Sequence, residues 1–282
     1  MNSNIRPPAV AGLFYSEKKT DLDREVAIYL ENAPQIDIDG RIIGIIAPHA
    51  GYMYSGGVAA RAYRQILDLD IDVVTIIAPS HREYFTEISI YDGFAYTTPL
   101  GTTEVHREFA QALTDISPQI ILSEKGHRFE EHALEVQLPF LQKVLDRFRI
   151  IPIVMGEHSS DNIETLATAL ATVLKDQKSL IVASSDLSHF YNAAKAETMD
   201  QIVRDYITSF NEDDLFSELR TGKCEMCGGG PVIACMKASK LMGANKSRTL
   251  LYRHSGDVTG DRSEVVGYLS ALLYREKARS FE

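Results

Sequence analysis

The chain has 282 residues, 45% of them hydrophobic and 24% charged, and its 29 basic and 39 acidic residues give a formal net charge of −10. That length can bury a sizeable core in one large α/β domain or in two ordinary ones, and the composition is that of a globular protein. The acidic balance argues against wholesale binding to nucleic acid or an anionic membrane, no apolar run reaches the roughly 18 residues of a membrane span, and three cysteines do not make a disulfide framework.

The opening residues lack the apolar core of a signal peptide, so a cytoplasmic protein with reduced thiols is expected. Through Tyr15 the chain is punctuated by Pro and Gly, and this segment is expected to be irregular but packed down. Thr20-Asp21-Leu22-Asp23-Arg24-Glu25 reads as a helix start, with Leu22, Val26, Tyr29 and Leu30 as its apolar stripe. A strand over Arg41–Ala47 leads into the His49 loop, and a helix is expected from about Gly57 to Leu67. A second strand, Val73–Ala78, ends at the His81 loop, and Glu87–Tyr91 reads as a shorter strand.

Helices are expected over Glu104–Leu113 and over Glu131–Leu145, the latter interrupted by Pro139. A third buried strand, Arg149–Met155, precedes a helix over Asn162–Leu174 and a fourth strand, Leu180–Ser184. Further helices cover Ala196–Phe210 and a stretch from Gly228-Gly229-Gly230-Pro231 to Leu241. Leu250–Tyr252 and Glu264–Tyr274 read as antiparallel strands across a polar Ser255–Ser263 turn. Strands alternating with helices imply a mainly parallel or mixed sheet with helices on both faces. No linker or charge run marks a boundary, so residues 1–282 are read as one domain.

The runs Ile45-Ile46-Ala47-Pro48-His49 and Ile76-Ile77-Ala78-Pro79-Ser80-His81 repeat one pattern 31 residues apart. Each is an apolar strand closed by a proline that cannot continue the ladder, with a histidine just beyond. In a parallel sheet both imidazoles face the crevice at the strands' carboxyl ends, where α/β proteins bind ligands. The glycine-rich loop after His49 permits close backbone approach, and the helix it opens has free N–H groups that favour an anion. Asp186 and His189 follow the fourth strand, where a carboxylate can orient an imidazole for proton transfer. His158, at another strand end, is read as an ordinary surface or hydrogen-bonded histidine.

Within Glu130-Glu131-His132-Ala133-Leu134-Glu135, His132 reads as a residue that either backs a ligand or faces substrate, and Glu131 and Glu135 read as part of a charged helix start. A second histidine at helical spacing is missing, which excludes the metalloprotease motif. Cys224-Glu225-Met226-Cys227 resembles half a zinc knuckle, but the chain has no second ligand pair at that spacing. What remains is a thiol beside a helix N-terminus, where the dipole lowers its pKa; Cys227 fits this role, while Cys224 and Cys235 read as structural.

Taken in order, Ala47-Pro48-His49-Ala50-Gly51-Tyr52, Pro79-Ser80-His81, Glu131 to Pro139, Ser184-Ser185-Asp186-Leu187-Ser188-His189 and Cys227-Gly228 resemble the Memo family, called AmmeMemoRadiSam system protein B in many prokaryotes. The likeness runs from about Arg6 to Leu273. It implies a fold similar to class III extradiol dioxygenases and a mononuclear metal on His49, His81 and Cys227, with Asp186, His189 and His132 around it. A thiolate in place of the dioxygenases' carboxylate softens the site toward copper or zinc, with iron also compatible. The leading expectation is iron- or copper-dependent redox or O₂ chemistry on a small molecule or peptide, His189 serving as acid/base. The alternatives are a module that binds a peptide or partner without catalysis, and a zinc-type hydrolase. The resemblance further implies Ammecr-like and radical-SAM partners.

Overall fold

The computed structural model describes residues 4–128 and 130–277. Four strands form the centre of the larger sheet: β2 (Gly40–Ala47), β3 (Val73–Pro79), β8 (Arg149–Met155) and β9 (Ser179–Ser184). Their near-continuous Ile, Val and Ala runs suit strands covered on both faces. They run parallel in the order β2-β9-β3-β8, with Ile45 opposite Val182, and Ile77 between Ala183 and Ile153.

Antiparallel strands flank this centre. On one side β12 (Val265–Glu276) pairs with β2, and both β10 (His189–Tyr191) and β11 (Lys246–His254) pair with β12. On the other, β4 (Ile88–Tyr91) runs antiparallel to β8, and β7 (Ile120–Ser123) lies parallel to β4. The sheet is thus mixed, with a parallel centre. A small second sheet joins β1 (Ile5–Arg6), β5 (Ala95–Thr98) and β6 (Gly101–Glu104).

Alternation along the central strands divides the core in two. Val74, Ile76, Leu180 and Val182 face α1 (Lys19–Glu31), α2 (Tyr52–Tyr63) and α4 (Leu138–Val144). Val73, Ile77, Ile181 and Ala183 face α3 (Arg107–Ile116), α5 (Ser160–Leu174), α6 (Ala193–Thr208), α7 (Glu212–Thr221) and α8 (Gly229–Leu241). Each face buries an amphipathic helix layer, which gives the expected α/β domain with helices on both sides.

Several segments differ from the expectation. The stretch 131–137 is not α-helical: it is a turn followed by a 3₁₀ segment over Glu135–Gln137. Pro139 opens α4 rather than interrupting a longer helix, because its missing N–H costs nothing in a first turn. The second helix starts at Tyr52, five residues before Gly57, since its small residues pack on the sheet as a helix. The expected helix start at Glu104 is strand β6, and the helix follows from Arg107. Residues 5–6, read as irregular, pair with β5. The polar turn between β11 and β12 holds a short helix, α9 (Gly256–Thr259).

Candidate metal centre

The carboxyl ends of β2, β3 and β9 share one edge, so Pro48-His49, Ser80-His81 and Ser185-Asp186 leave the sheet side by side. The loop before α8 meets them there. A Cβ on Gly228 would lie 2.2 Å from Ser184 O and 2.7 Å from Ser185 Cβ, so only glycine lets this backbone come so close. The adjacent Cys227 is thereby set against the strand ends.

His49, His81 and Cys227 meet, their ligand atoms all within 4.8 Å of one another. His49 Nε2 lies 3.2 Å from Cys227 Sγ, near the roughly 3.5 Å between two ligands of one tetrahedral ion. His49 is buried; its Nδ1 meets Ser184 Oγ at 2.9 Å, and its backbone N–H donates to Asp186 Oδ1 at 2.8 Å. Burial, reinforced by His81, holds its imidazole well below the ordinary histidine pKa, so His49 is neutral at pH 7.

The His132 ring stacks on His81 with centroids 4.8 Å apart, and its Nδ1 is buried without a hydrogen-bond partner. Burial, together with His49 and His81, lowers its pKa to about 4. Three imidazoles therefore surround a common volume, with an orphaned nitrogen on one of them. This donor set fits a borderline or soft metal ion.

Glu131, read from the sequence as part of a charged helix start, is instead buried in the site. Its carboxylate meets His81 Nδ1 at 3.0 Å and accepts the N–H groups of His81, His132 and Ala133. Burial acts to raise its pKa, but the bonds from His81 and these amides outweigh that and hold it at about 2. Glu131, His81 and His132 also form a cluster within 4.8 Å. With its oxygens committed to four donors, Glu131 serves as the anchor of His81, a carboxylate–histidine arrangement common behind metal ligands. Glu135 is likewise buried, accepting from Arg6, Ala9, Val10 and Tyr15.

Asp186 is buried beside the cluster, its carboxyl pushed up by desolvation against the amides of His49 and Ala50 and the nearby His189 and His132. Among the described residues no hydrogen bond joins it to His189. The expected orientation of the His189 ring by Asp186 is replaced by a bond from Asp186 to the His49 backbone. His189 lies on β10, half-buried, beside a bulge where Phe190 takes a left-handed φ of 64°.

Burial and the nearby Asp186 push the Cys227 thiol up, opposite to the lowering expected from the helix dipole alone. The Asp186 N–H donates to Cys227 Sγ at 3.2 Å and so favours the thiolate once the proton leaves. Cys224 and Cys235 are buried, as expected for structural thiols. His158 is a packed histidine: Gly230 N–H points to its Nδ1 at 3.4 Å, and burial lowers its pKa to about 4. A cavity of about 440 Å³ opens beside the centre, with Cys227, His189, His158, Phe216, Leu219 and Met226 in its wall.

At the glycine loop one of the expected anion donors, the Tyr52 N–H, is already committed. Tyr52 N–H donates to Phe14 O, and the Tyr52 hydroxyl is buried on Val136 O at 2.7 Å. Sequence reasoning also passed over Ser184 and Gln137, neutral residues whose only signal is a strand end and a buried helix approach. Gln137 Nε2 donates to Pro48 O and to Ser184 Oγ.

Over residues 6–272 the chain matches the family described as Memo-like protein. It is 38% identical over 273 residues to a MEMO1 family protein of Methanothermobacter thermautotrophicus, covering 94% of this chain and 98% of that one. To a MEMO1 family protein of Aquifex aeolicus it is 36% identical over 271 residues, covering 95% and 99%. Among solved structures, an uncharacterized protein of Escherichia coli K12 superposes with a TM-score of 0.54 at 12% identity, covering 82% of this chain and 99% of that one, which shows a shared fold.

Proposed function

The chain belongs to the Memo family, and from that premise we propose that His49, His81 and Cys227 hold one iron or copper ion used in redox or O₂-dependent chemistry on a small molecule or peptide. The observation that carries the reading is the meeting of the three ligand atoms within 4.8 Å at one sheet edge. Bound iron or copper supplies one-electron or O₂ chemistry, whereas zinc in the same place supplies a hydrolytic nucleophile.

The protein's own groups divide the remaining work. His49 is neutral at working pH, so no proton competes for its ligating nitrogen. Cys227 gives up its proton on ligation, and the Asp186 N–H steadies the resulting charge. Glu131 fixes the His81 ring. His189, in the wall of the adjoining cavity, is the proton donor or acceptor for a bound substrate, and His132, facing the shared volume, hydrogen-bonds it. The free cysteines are consistent with a reducing compartment, and we place the protein in the cytoplasm. Ammecr-like and radical-SAM proteins are proposed partners on the family resemblance.

Metal analysis of the full chain prepared without oxygen tests this reading, with His49→Ala and Cys227→Ala as controls. Stoichiometric iron or copper lost in both variants supports it; unchanged metal in both overturns it. Retained ester or amide hydrolysis with zinc and no redox turnover favours the hydrolase alternative.

A further inference from the structure

Ser184 sits at the centre of a buried polar chain whose directions can be read from its ends. Pro48 O and Ala133 O are carbonyls and only accept. The Gln137 amide atom 3.0 Å from Pro48 O is therefore its nitrogen, and the opposite atom, 2.7 Å from the Tyr63 hydroxyl, is its oxygen. That same nitrogen donates to Ser184 Oγ at 2.7 Å. Ser184 Oγ lies 2.6 Å from Ala133 O, a separation that needs a proton between two oxygens, and only the hydroxyl has one.

The single Ser184 proton is thus spent on Ala133 O, and one lone pair is filled by Gln137. The remaining contact, 2.9 Å to His49 Nδ1, has one consistent direction: the ring donates and the serine accepts. Every member of the chain is satisfied in this arrangement, and Gln137, Ser184, His49 and Tyr63 are all buried.

We infer that Ser184, oriented by Gln137, is a positioning residue that locks His49 in its Nδ1–H tautomer. Nε2 is then bare and faces Cys227 Sγ at 3.2 Å. The ligating nitrogen is selected by two backbone carbonyls, acting through neutral side chains that do not titrate. The same logic on His81 uses a carboxylate, so the two imidazoles are set by different chemistry. The inference deepens the proposed metal site and rests on that reading for its purpose, though not for the tautomer itself.

The test uses metal-free full-length protein labelled with ¹⁵N-histidine, in which two-bond proton–nitrogen spectra distinguish Nδ1–H from Nε2–H, and His49→Ala identifies the His49 signals. We expect the wild type to show Nδ1–H. Ser184→Ala removes the acceptor, and His49 shifts toward Nε2–H. Affinity for Co²⁺ alone, followed by its thiolate charge-transfer absorbance, is expected to fall about 10- to 100-fold. An Nε2–H wild-type ring at His49 overturns the inference, whether or not Ser184→Ala folds. So does a Ser184→Ala protein that keeps both Nδ1–H and its Co²⁺ affinity. If the tautomer behaves as expected but wild-type protein binds no Co²⁺ at His49, the tautomer lock is supported and the metal reading fails.

Discussion

The Glu131 carboxylate grips His81 from two sides, one oxygen 3.0 Å from ring Nδ1 and the other accepting the residue's own backbone N–H. An ionised carboxylate only accepts, so Nδ1 keeps the proton and Nε2 is left for a metal. Glu131→Gln can turn its NH₂ toward the ring and reverse that tautomer. We expect metal affinity to fall about 10- to 100-fold, measured by chelator competition. An affinity within twofold of wild type means the carboxylate does not position the ligand.

Acid is expected to destabilise the metal-free protein in two stages. His158 and His127 are held by burial at about 4 and about 3, below the ordinary value of 6.5. Above pH 6.5 they are neutral whether folded or unfolded. As pH falls below that value, the unfolded chain takes up protons that the folded chain refuses, so stability drops by about 1–2 kcal/mol per histidine by pH 5. Glu131 acts later: its stabilisation is present above the unfolded carboxyl value and is lost as pH falls toward about 2. Urea unfolding between pH 5 and 8 should show the first stage, and a flat profile there contradicts it.

Gly228→Ala should disturb the centre without touching a ligand. Its Cβ would lie 2.2 Å from Ser184 O, a backbone atom that cannot rotate away. A loss of about 1–3 kcal/mol is expected. Because the displaced loop carries Cys227, the thiol should react with an alkylating reagent at a rate that differs from that of the folded wild type. A variant with unchanged stability and thiol reactivity would show that the close approach is not needed.

The buried pair of Arg6 and Glu135, 2.6 Å apart, should be costly to break from one side. Glu135→Ala strands the guanidinium, and Arg6→Ala strands the carboxylate, each expected to cost about 3–5 kcal/mol. Replacing both with apolar residues of similar volume is expected to recover much of that loss. A double variant as unstable as the sum of the singles would mean that the remaining donors to Glu135, from Ala9, Val10 and Tyr15, dominate.

The parts of the protein most legible in the sequence are those that local pattern dictates. Ile-Ile-Ala-Pro runs read as buried parallel strands, and the breaks after them put His49 and His81 at one edge. Cys227 stood out because glycines and a helix follow it. Glu131 and Glu135 read as part of a charged helix start because nothing in their own neighbourhood announces burial: His81 and Arg6, which make burial tolerable, lie 50 and 129 residues away. Ser184 and Gln137 lie within legible motifs, but their role is not legible there, since a serine or glutamine matters here only through the direction of its hydrogen bonds. The β5–β6 hairpin was missed because its short, threonine-rich strands carry little apolar pattern.

The non-helical stretch from Glu131 to Gln137 ties the start of the chain to the centre of chemistry. Arg6 donates to the carbonyl of Glu131 and to the carboxylate of Glu135, while the Glu131 side chain holds His81. A ligand at the mouth of the sheet is thus one residue removed from the first strand of the fold. A change at Arg6, or in the stretch it holds, is therefore felt at His81, a candidate ligand, through the single carboxylate of Glu131.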